Sequence, residues 1–261
     1  MSFCPNCGTQ VDDGAAFCPS CGSALGAAAP VAATPAAPGT FEMIFGIYKK
    51  AILVCLKKPI KLWALSLLEV LMTVLTYALC GIIPAAALAI TFVLSLGMTW
   101  VFLDGYRGED VSAEQLFEGF KNFWHSFAGM GWKTLLMFLW GLIPLCGWVF
   151  SIIKGYGYSL VPYIIRESPE TSAVAVAKES LRRTKGFKGK MFLTDVLMYV
   201  LIWVAIGILI LLCKIPVLGK LFLLILIVFI LAVAALLPLF KGLVKAAWYE
   251  EITKANGTDV Q

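Results

Sequence analysis

The sequence predicts an all-α polytopic membrane protein of about six transmembrane helices, with surface amphipathic helices and a small cysteine-built head at its N-terminus. Three observations carry that prediction. Leu221 to Phe240 reads LFLLILIVFILAVAALLPLF, twenty residues without a charged, amide or hydroxyl side chain. At about 1.5 Å per residue such a helix matches a hydrocarbon core roughly 30 Å thick, and a helix apolar on every face has little use on a water-soluble domain. The 261-residue chain is 60% hydrophobic and 14% charged, with a mean hydropathy of +0.88. That is well below the roughly 25% charge of typical soluble proteins. Finally, FCPNCG at 3–8 returns as FCPSCG at 17–22.

The head is read from its cysteines. Cys4, Cys7, Cys18 and Cys21 form one compact set, whereas Cys55, Cys80, Cys146 and Cys213 are scattered through apolar sequence. The stretch from Met1 to Cys4 has neither a basic nor an apolar leader region, so the N-terminus is expected to start in the cytosol. In that reducing compartment clustered CxxC pairs point to metal and away from disulfides. Two residues between cysteines let both thiolates turn toward one ion. Pro5 and Pro19 pre-set the turn, and Gly8 and Gly22 can take the positive φ of a tight knuckle. Four thiolates make a closed tetrahedral Zn2+ site, structural and not hydrolytic, with Cys4, Cys7, Cys18 and Cys21 as ligands. So short a module cannot bury a sufficient core, and metal binding is expected to supply folding free energy on the order of 10 kcal/mol. Free or redox-active thiols, and iron in a rubredoxin-like site, are the alternatives. Residues 1–22 resemble the short zinc ribbons found at the start of many bacterial membrane proteins.

Residues 1–40 contain no Lys or Arg and include Asp12 and Asp13. Zinc held by four thiolates adds a formal charge of about −2. Phosphate recognition depends on cationic side chains, so the pattern argues against nucleic acid and for a cytosolic protein partner or a regulatory role. Residues 23–40 (SALGAAAPVAATPAAPGT) are Ala/Pro-rich, uncharged and without helical apolar periodicity, a flexible linker that leads into a membrane domain over 41–261.

Within that domain, Phe41 to Lys58 is amphipathic. Ile44, Tyr48, Ala51, Ile52 and Cys55 share one stripe, Lys49, Lys50, Lys57 and Lys58 lie apart from it, and Pro59 ends the pattern. It reads as a helix on anionic lipid headgroups or as a cytosolic extension of the first span. Leu62 to Cys80 and Ala85 to Leu103 are the first two spans, turning at 81–84. Ser112 to Phe127 is a second surface helix with a Ser112/Gln115 capping box and a stripe of Leu116, Phe120, Phe123 and Phe127 suited to the headgroup boundary. Trp132 to Ile153 is the third span, interrupted near Pro144, and Lys154 to Ile165 a short fourth element. The two could instead share one apolar block as a kinked hairpin turning near Pro144 to Trp148. Pro169 to Lys190 is a third surface helix, with Ser168 as cap and a basic far end. Phe192 to Leu212 and Leu221 to Phe240 are the last spans, and Lys241 to Lys254 extends the final helix into the cytosol.

With both termini inside, eighteen of the 21 Lys and Arg residues fall on the cytosolic side, leaving Lys154, Lys214 and Lys220. That asymmetry supports six spans with both ends cytosolic. Three times a surface helix precedes a hairpin whose turn carries Cys and Pro (CGIIP at 80–84, PLCG at 144–147, CKIP at 213–216), a pattern that triplication or chance similarity of apolar hairpins both explain.

Chemistry-bearing residues are few. Glu69, flanked by Leu67, Leu68, Val70 and Leu71, is a costly ionisable group within a span and so a candidate intramembrane site, with Lys154 the one cation near the fourth span. Alternatively Glu69 is shallow enough to reach the headgroups. Asp195 is expected at an interface. Cys80, Cys146 and Cys213 fall at the outer ends of their spans, where two could pair or all three could serve as small packing residues. His125 is the sole histidine, and no nucleophile elbow, phosphate loop or dinucleotide fingerprint is present. No catalytic site is expected.

From about Ser95 onward the chain is similar to a family of bacterial integral membrane proteins known only as a domain of unknown function. The resemblance rests on Leu116-Phe117-Glu118-Gly119-Phe120, LWGLIP at 139–144, IIKGYGYSLVPYIIRESP at 152–169, AVAKESLRRTKGFKGKMF at 175–192 and LPLFKGLVKAAWYEEI at 237–252. In layout that family resembles the membrane domains attached to some glycerophosphodiester phosphodiesterases, without their catalytic domain. Its members carry Pro-Tyr near the last span, where this chain has Pro238-Leu239. The resemblance implies the six-span fold and no activity. The expectation is a non-catalytic scaffold or regulator, and its alternative a small-molecule or lipid transporter using Glu69 and the Tyr156–Tyr163 segment.

Overall fold

Pro84, whose fixed φ suits a first helical turn, opens α3 (Pro84–Arg107). Gly108, at φ +88°, closes it in the left-handed conformation a helix end favours. The computed structural model describes residues 2–3, 7–12, 18–21, 39–57, 59–80, 83–144, 147–216 and 218–257. Cys4, Pro5, Gly22 and Cys146 lie outside these, as does the linker up to residue 38. The chain forms two units, Met1–Gly39 and Thr40–Gln261.

The larger unit is helical throughout. In chain order it comprises α1 (Thr40–Lys57), α2 (Pro59–Cys80), α3, α4 (Ala113–Leu116), a 3-10 turn (Glu118–Phe120), α5 (Phe123–Gly141), α6 (Gly147–Gly157), α7 (Val161–Glu167), α8 (Ala173–Arg183), α9 (Lys188–Leu212) and α10 (Gly219–Ala255). Three antiparallel pairs, α2/α3, α5/α6 and α9/α10, follow the short helices α1, α4 and α8 in turn. The order of surface helix and hairpin is thus the one anticipated.

Among the described residues four helices, α2, α3, α9 and α10, are long and apolar enough to cross a membrane. In the most apolar stretch of α10 none of the residues is buried in the protein, against 6% in α9, 17% in α2 and 56% in α3. α3 is therefore the central post, and the other three turn Leu, Ile and Val outward, as lipid-facing helices do. α10 continues for 37 residues, about 55 Å, through Pro238. That exceeds a hydrocarbon core, and its last turns from Leu239 onward are packed inside the protein.

The third and fourth predicted spans do not form two helices of spanning length. The apolar block over 132–153 is divided by a turn after Gly141. Its first half belongs to α5 and its second to α6, the kinked-hairpin alternative. At Gly147 a Cβ would lie 2.7 Å from the Gly141 carbonyl oxygen, so the two helices meet there backbone to backbone. Lys154 to Ile165 is likewise broken, at 158–160, because Pro162 cannot donate within a helix and instead sits in the first turn of α7.

Two surface-helix boundaries shift for local reasons. The 112–127 helix breaks into α4 and a 3-10 turn, and α5 starts at Phe123 and runs on without pause. The predicted box holds, with the Ser112 N–H donating to Gln115 Oε1 at 3.0 Å, and Phe117, Phe120, Phe123 and Phe127 stack in sequence. Ser168 does not open a helix: its N–H bonds to Ile164 and ends α7. α8 begins four residues later, where the Ser172 hydroxyl accepts the Ala175 N–H.

Gly97 fixes the approach of α4 to the central post. A Cβ there would lie 2.0 Å from the Leu116 carbonyl oxygen, so only glycine fits. Leu116, Tyr163, Ile164, Trp248 and Tyr249 are among the largest fully buried side chains, with the Tyr163 and Tyr249 rings stacked at 4.4 Å.

Candidate metal centre and intramembrane polar site

In the small unit, the strands Ser2–Phe3 and Gln10–Val11 pair antiparallel, Phe3 opposite Gln10. Gly8 takes φ +72°, the conformation its place after Cys7 requires. The sulfurs of Cys7, Cys18 and Cys21 all lie within 4.8 Å of one another, with Cys18 buried. Cys7 Sγ and Cys18 Sγ are 3.6 Å apart. This is far too long for a disulfide of about 2.05 Å and close to the roughly 3.8 Å edge of a tetrahedron with 2.3 Å zinc–sulfur bonds. The donor set fits zinc: soft thiolates converging on one point, where the ion would neutralise their charge and tie the two knuckles together. Cys4, the expected fourth ligand, lies outside the described residues.

Glu69 sits half-buried on α2 and Lys154 half-buried on α6, with no ion pair between them. Lys154 stands instead over the Trp140 ring, 4.7 Å from its centre.

Two polar features went unread in the sequence. The first is an ion-pair layer at the end of the bundle where α3, α7, α8 and α10 meet. Asp104, 1% exposed on α3, accepts from Arg166 at 2.5 and 3.0 Å and from Gln115 Nε2 at 3.1 Å. Arg166 lies over Trp100, whose Nε1–H donates to the Pro162 carbonyl at 2.8 Å. Arg183 bridges Glu167 and Glu179, each at 2.8 Å, and the Tyr249 hydroxyl donates to Glu167. Arg107–Glu250 and Lys50–Glu251 pairs extend the layer along α10. The hydrogen bonds from Arg182 and Arg183 hold the Glu179 carboxyl down at about 2.

The second is an open cavity of about 540 Å³ lined by α3, α5, α6, α7, α9 and α10. Lys133, Lys241, Lys245 and Asp195 line it. Tyr156 donates to Asp195 at 2.7 Å and Lys241 to Tyr199 Oη at 2.9 Å. Lys133 and Lys245 have no hydrogen-bond or ion-pair partner among the described residues. Neither do the Tyr163 hydroxyl and the Trp248 Nε1–H, on cavity-lining side chains only 2% exposed. The Tyr156–Tyr163 segment contributes to this wall, whereas Glu69 does not. In the sequence Lys133, Lys241 and Lys245 count only among the eighteen positive charges expected on the cytosolic side. Their convergence depends on α5 beginning early and on α10 running far past its apolar run, neither of which periodicity reveals.

No curated protein and no solved structure matches the chain. Residues 3–25 match the zinc-ribbon domain family, the stretch in which the three described cysteines converge.

Proposed function

We propose that the chain is a non-catalytic, multi-pass regulator or scaffold of the bacterial inner membrane, with both termini cytosolic and the zinc ribbon as its protein-contact arm. The supporting observation is a thiolate cluster that leaves no coordination position for water once Cys4 completes it, in a segment without a single Lys or Arg. Such a module can neither hydrolyse nor hold phosphate, and what remains to it is contact. Same-side termini do not require six crossings. α2, α3, α9 and α10 alone are four, an even number, and they leave the basic segments before α2, between α3 and α9 and after α10 on one face. The α5/α6 hairpin, with Phe138, Leu139, Trp148 and Ile153 exposed, then enters the bilayer from that same face.

The test is a photo-crosslinking amino acid at exposed Thr9 or Ser20 of the full-length protein in native membranes. A discrete protein adduct that is lost on zinc chelation and in Cys18→Ser is expected. Adducts to nucleic acid, or the same adducts with and without zinc, would overturn the reading.

A further inference from the structure

The cavity described above holds more donors than it can use. Its charged side chains are three lysines and one aspartate, a formal charge of +2, and Asp195 is already engaged by Tyr156. The Tyr163 hydroxyl and the Trp248 Nε1–H are buried donors without acceptors. The hydroxyls of Ser95, Thr99, Ser151 and Ser159 donate to backbone carbonyls and add no acceptor of negative charge. Burying the Tyr163 and Trp248 donors unpaired costs free energy, and an acceptor-rich anion is the group that recovers it while also balancing the partly exposed lysines. The volume lies within the roughly 300–1,000 Å³ usual for ligand sites, several times what a single anion fills.

A second cavity says what the remainder of the ligand is. A groove of about 390 Å³ between α6 and α9 shares Ile152 and Tyr156 with the polar cavity, and Trp148, Val149, Ile153 and Phe192 make it apolar. A charged chamber thus lies beside an oily slot between α6 and α9, with Ile152 and Tyr156 in the walls of both. We infer that the chamber binds the phosphate of an anionic amphiphile, with Lys133, Lys241 and Lys245 around the phosphate, Tyr163 and Trp248 donating to it, and the hydrocarbon lying along the α6/α9 groove. The inference goes beyond the role of the ribbon and does not depend on it. Phosphate chemistry is shared by a phospholipid headgroup and a free phosphate-bearing solute, and the groove favours the lipid.

Native mass spectrometry of the full-length protein, released from micelles doped with palmitoyl-oleoyl phosphatidylglycerol or phosphatidylcholine, tests it. The protein is expected to retain one phosphatidylglycerol in preference to phosphatidylcholine. K133Q/K245Q should weaken that retention roughly 30-fold, from the loss of two cations. K133R/K245R, which keeps the charge, should retain the lipid, as should K214Q/K220Q at the far turn. Added inorganic phosphate that displaces the lipid at millimolar concentration would assign the site to free phosphates, and failure to displace it would assign the site to lipid. Equal retention of the two lipids, or wild-type retention by K133Q/K245Q, would overturn the proposal.

Discussion

Replacing Asp104 with alanine should be among the most damaging single changes in the membrane body. Asp104 is 1% exposed and accepts three hydrogen bonds, two from the Arg166 fork and one from Gln115. Its removal leaves Arg166 with Glu118 alone, at 3.6 Å. Breaking a buried pair from one side costs about 3–5 kcal/mol, because the surviving charge stays in place without its partner. With one of the partners here 31% exposed, the lower end applies, about 3 kcal/mol. For a body of this size that is a fall in Tm of roughly 6–12 °C. Thermal unfolding in nanodiscs, followed by tryptophan fluorescence, is the assay, and the double variant D104L/R166M is the control. Removing both charges together should cost far less than D104A alone, because no orphaned ion remains. A drop below about 2 °C for D104A, or a double variant as damaged as the single, would refute the claim that this pair locks α7 onto α3.

Gly97→Ala should lower stability by roughly 1–3 kcal/mol, since its methyl would meet the Leu116 carbonyl at 2.0 Å, whereas Gly46→Ala, with open space around it, should be neutral or stabilising. Cys18→Ser should reduce bound zinc, measured by elemental mass spectrometry, from one ion per chain to none, and acidification should release zinc from the wild type as protons compete for the thiolates. Glu179 is held well below its unfolded value by Arg182 and Arg183. Its contribution, at most about 1 kcal/mol at this accessible site, is therefore complete above about pH 4.5 and lost as the pH falls toward about 2. The acid limb of the stability profile should flatten in Glu179→Gln, and an unchanged limb would contradict the pairing.

Much of the architecture was legible because oil imposes a simple grammar. Leu221 to Phe240 has no polar interruption and Phe192 to Leu212 carries Thr194 and Asp195 only in its first turn, so their helices could be read from length and composition, and paired FCPxCG units state their chemistry outright. The α5–α7 region was not legible for a physical reason. Trp132 to Ile165 is largely apolar, with Lys133 and Lys154 its only charges and Gly and Pro scattered along it. Apolar periodicity cannot say whether a break such as the turn at Pro144 is a kink within one span or the tip of a hairpin. The polar chamber was hidden for a related cause. Lys133, Lys241 and Lys245 flank apolar runs, where lysine ordinarily marks the membrane boundary, and only the fold shows that three such boundary residues face one another. Glu69 draws notice by standing alone in a span, yet the ion-pair network forms elsewhere, on Asp104, Arg166, Glu167 and Arg183, at or beyond the ends of the apolar runs.

The most direct test of the whole account is sidedness. Single cysteines at Glu109, Lys185 and Lys214, in a background with the scattered native cysteines replaced, can be labelled by an impermeant maleimide in intact cells and again after permeabilisation. Glu109 and Lys185 should react only once the membrane is opened, and Lys214, in the α9/α10 turn, from outside. Labelling of all three from one side, or recovery of the protein in the aqueous fraction without detergent, would contradict a body built from membrane-crossing hairpins.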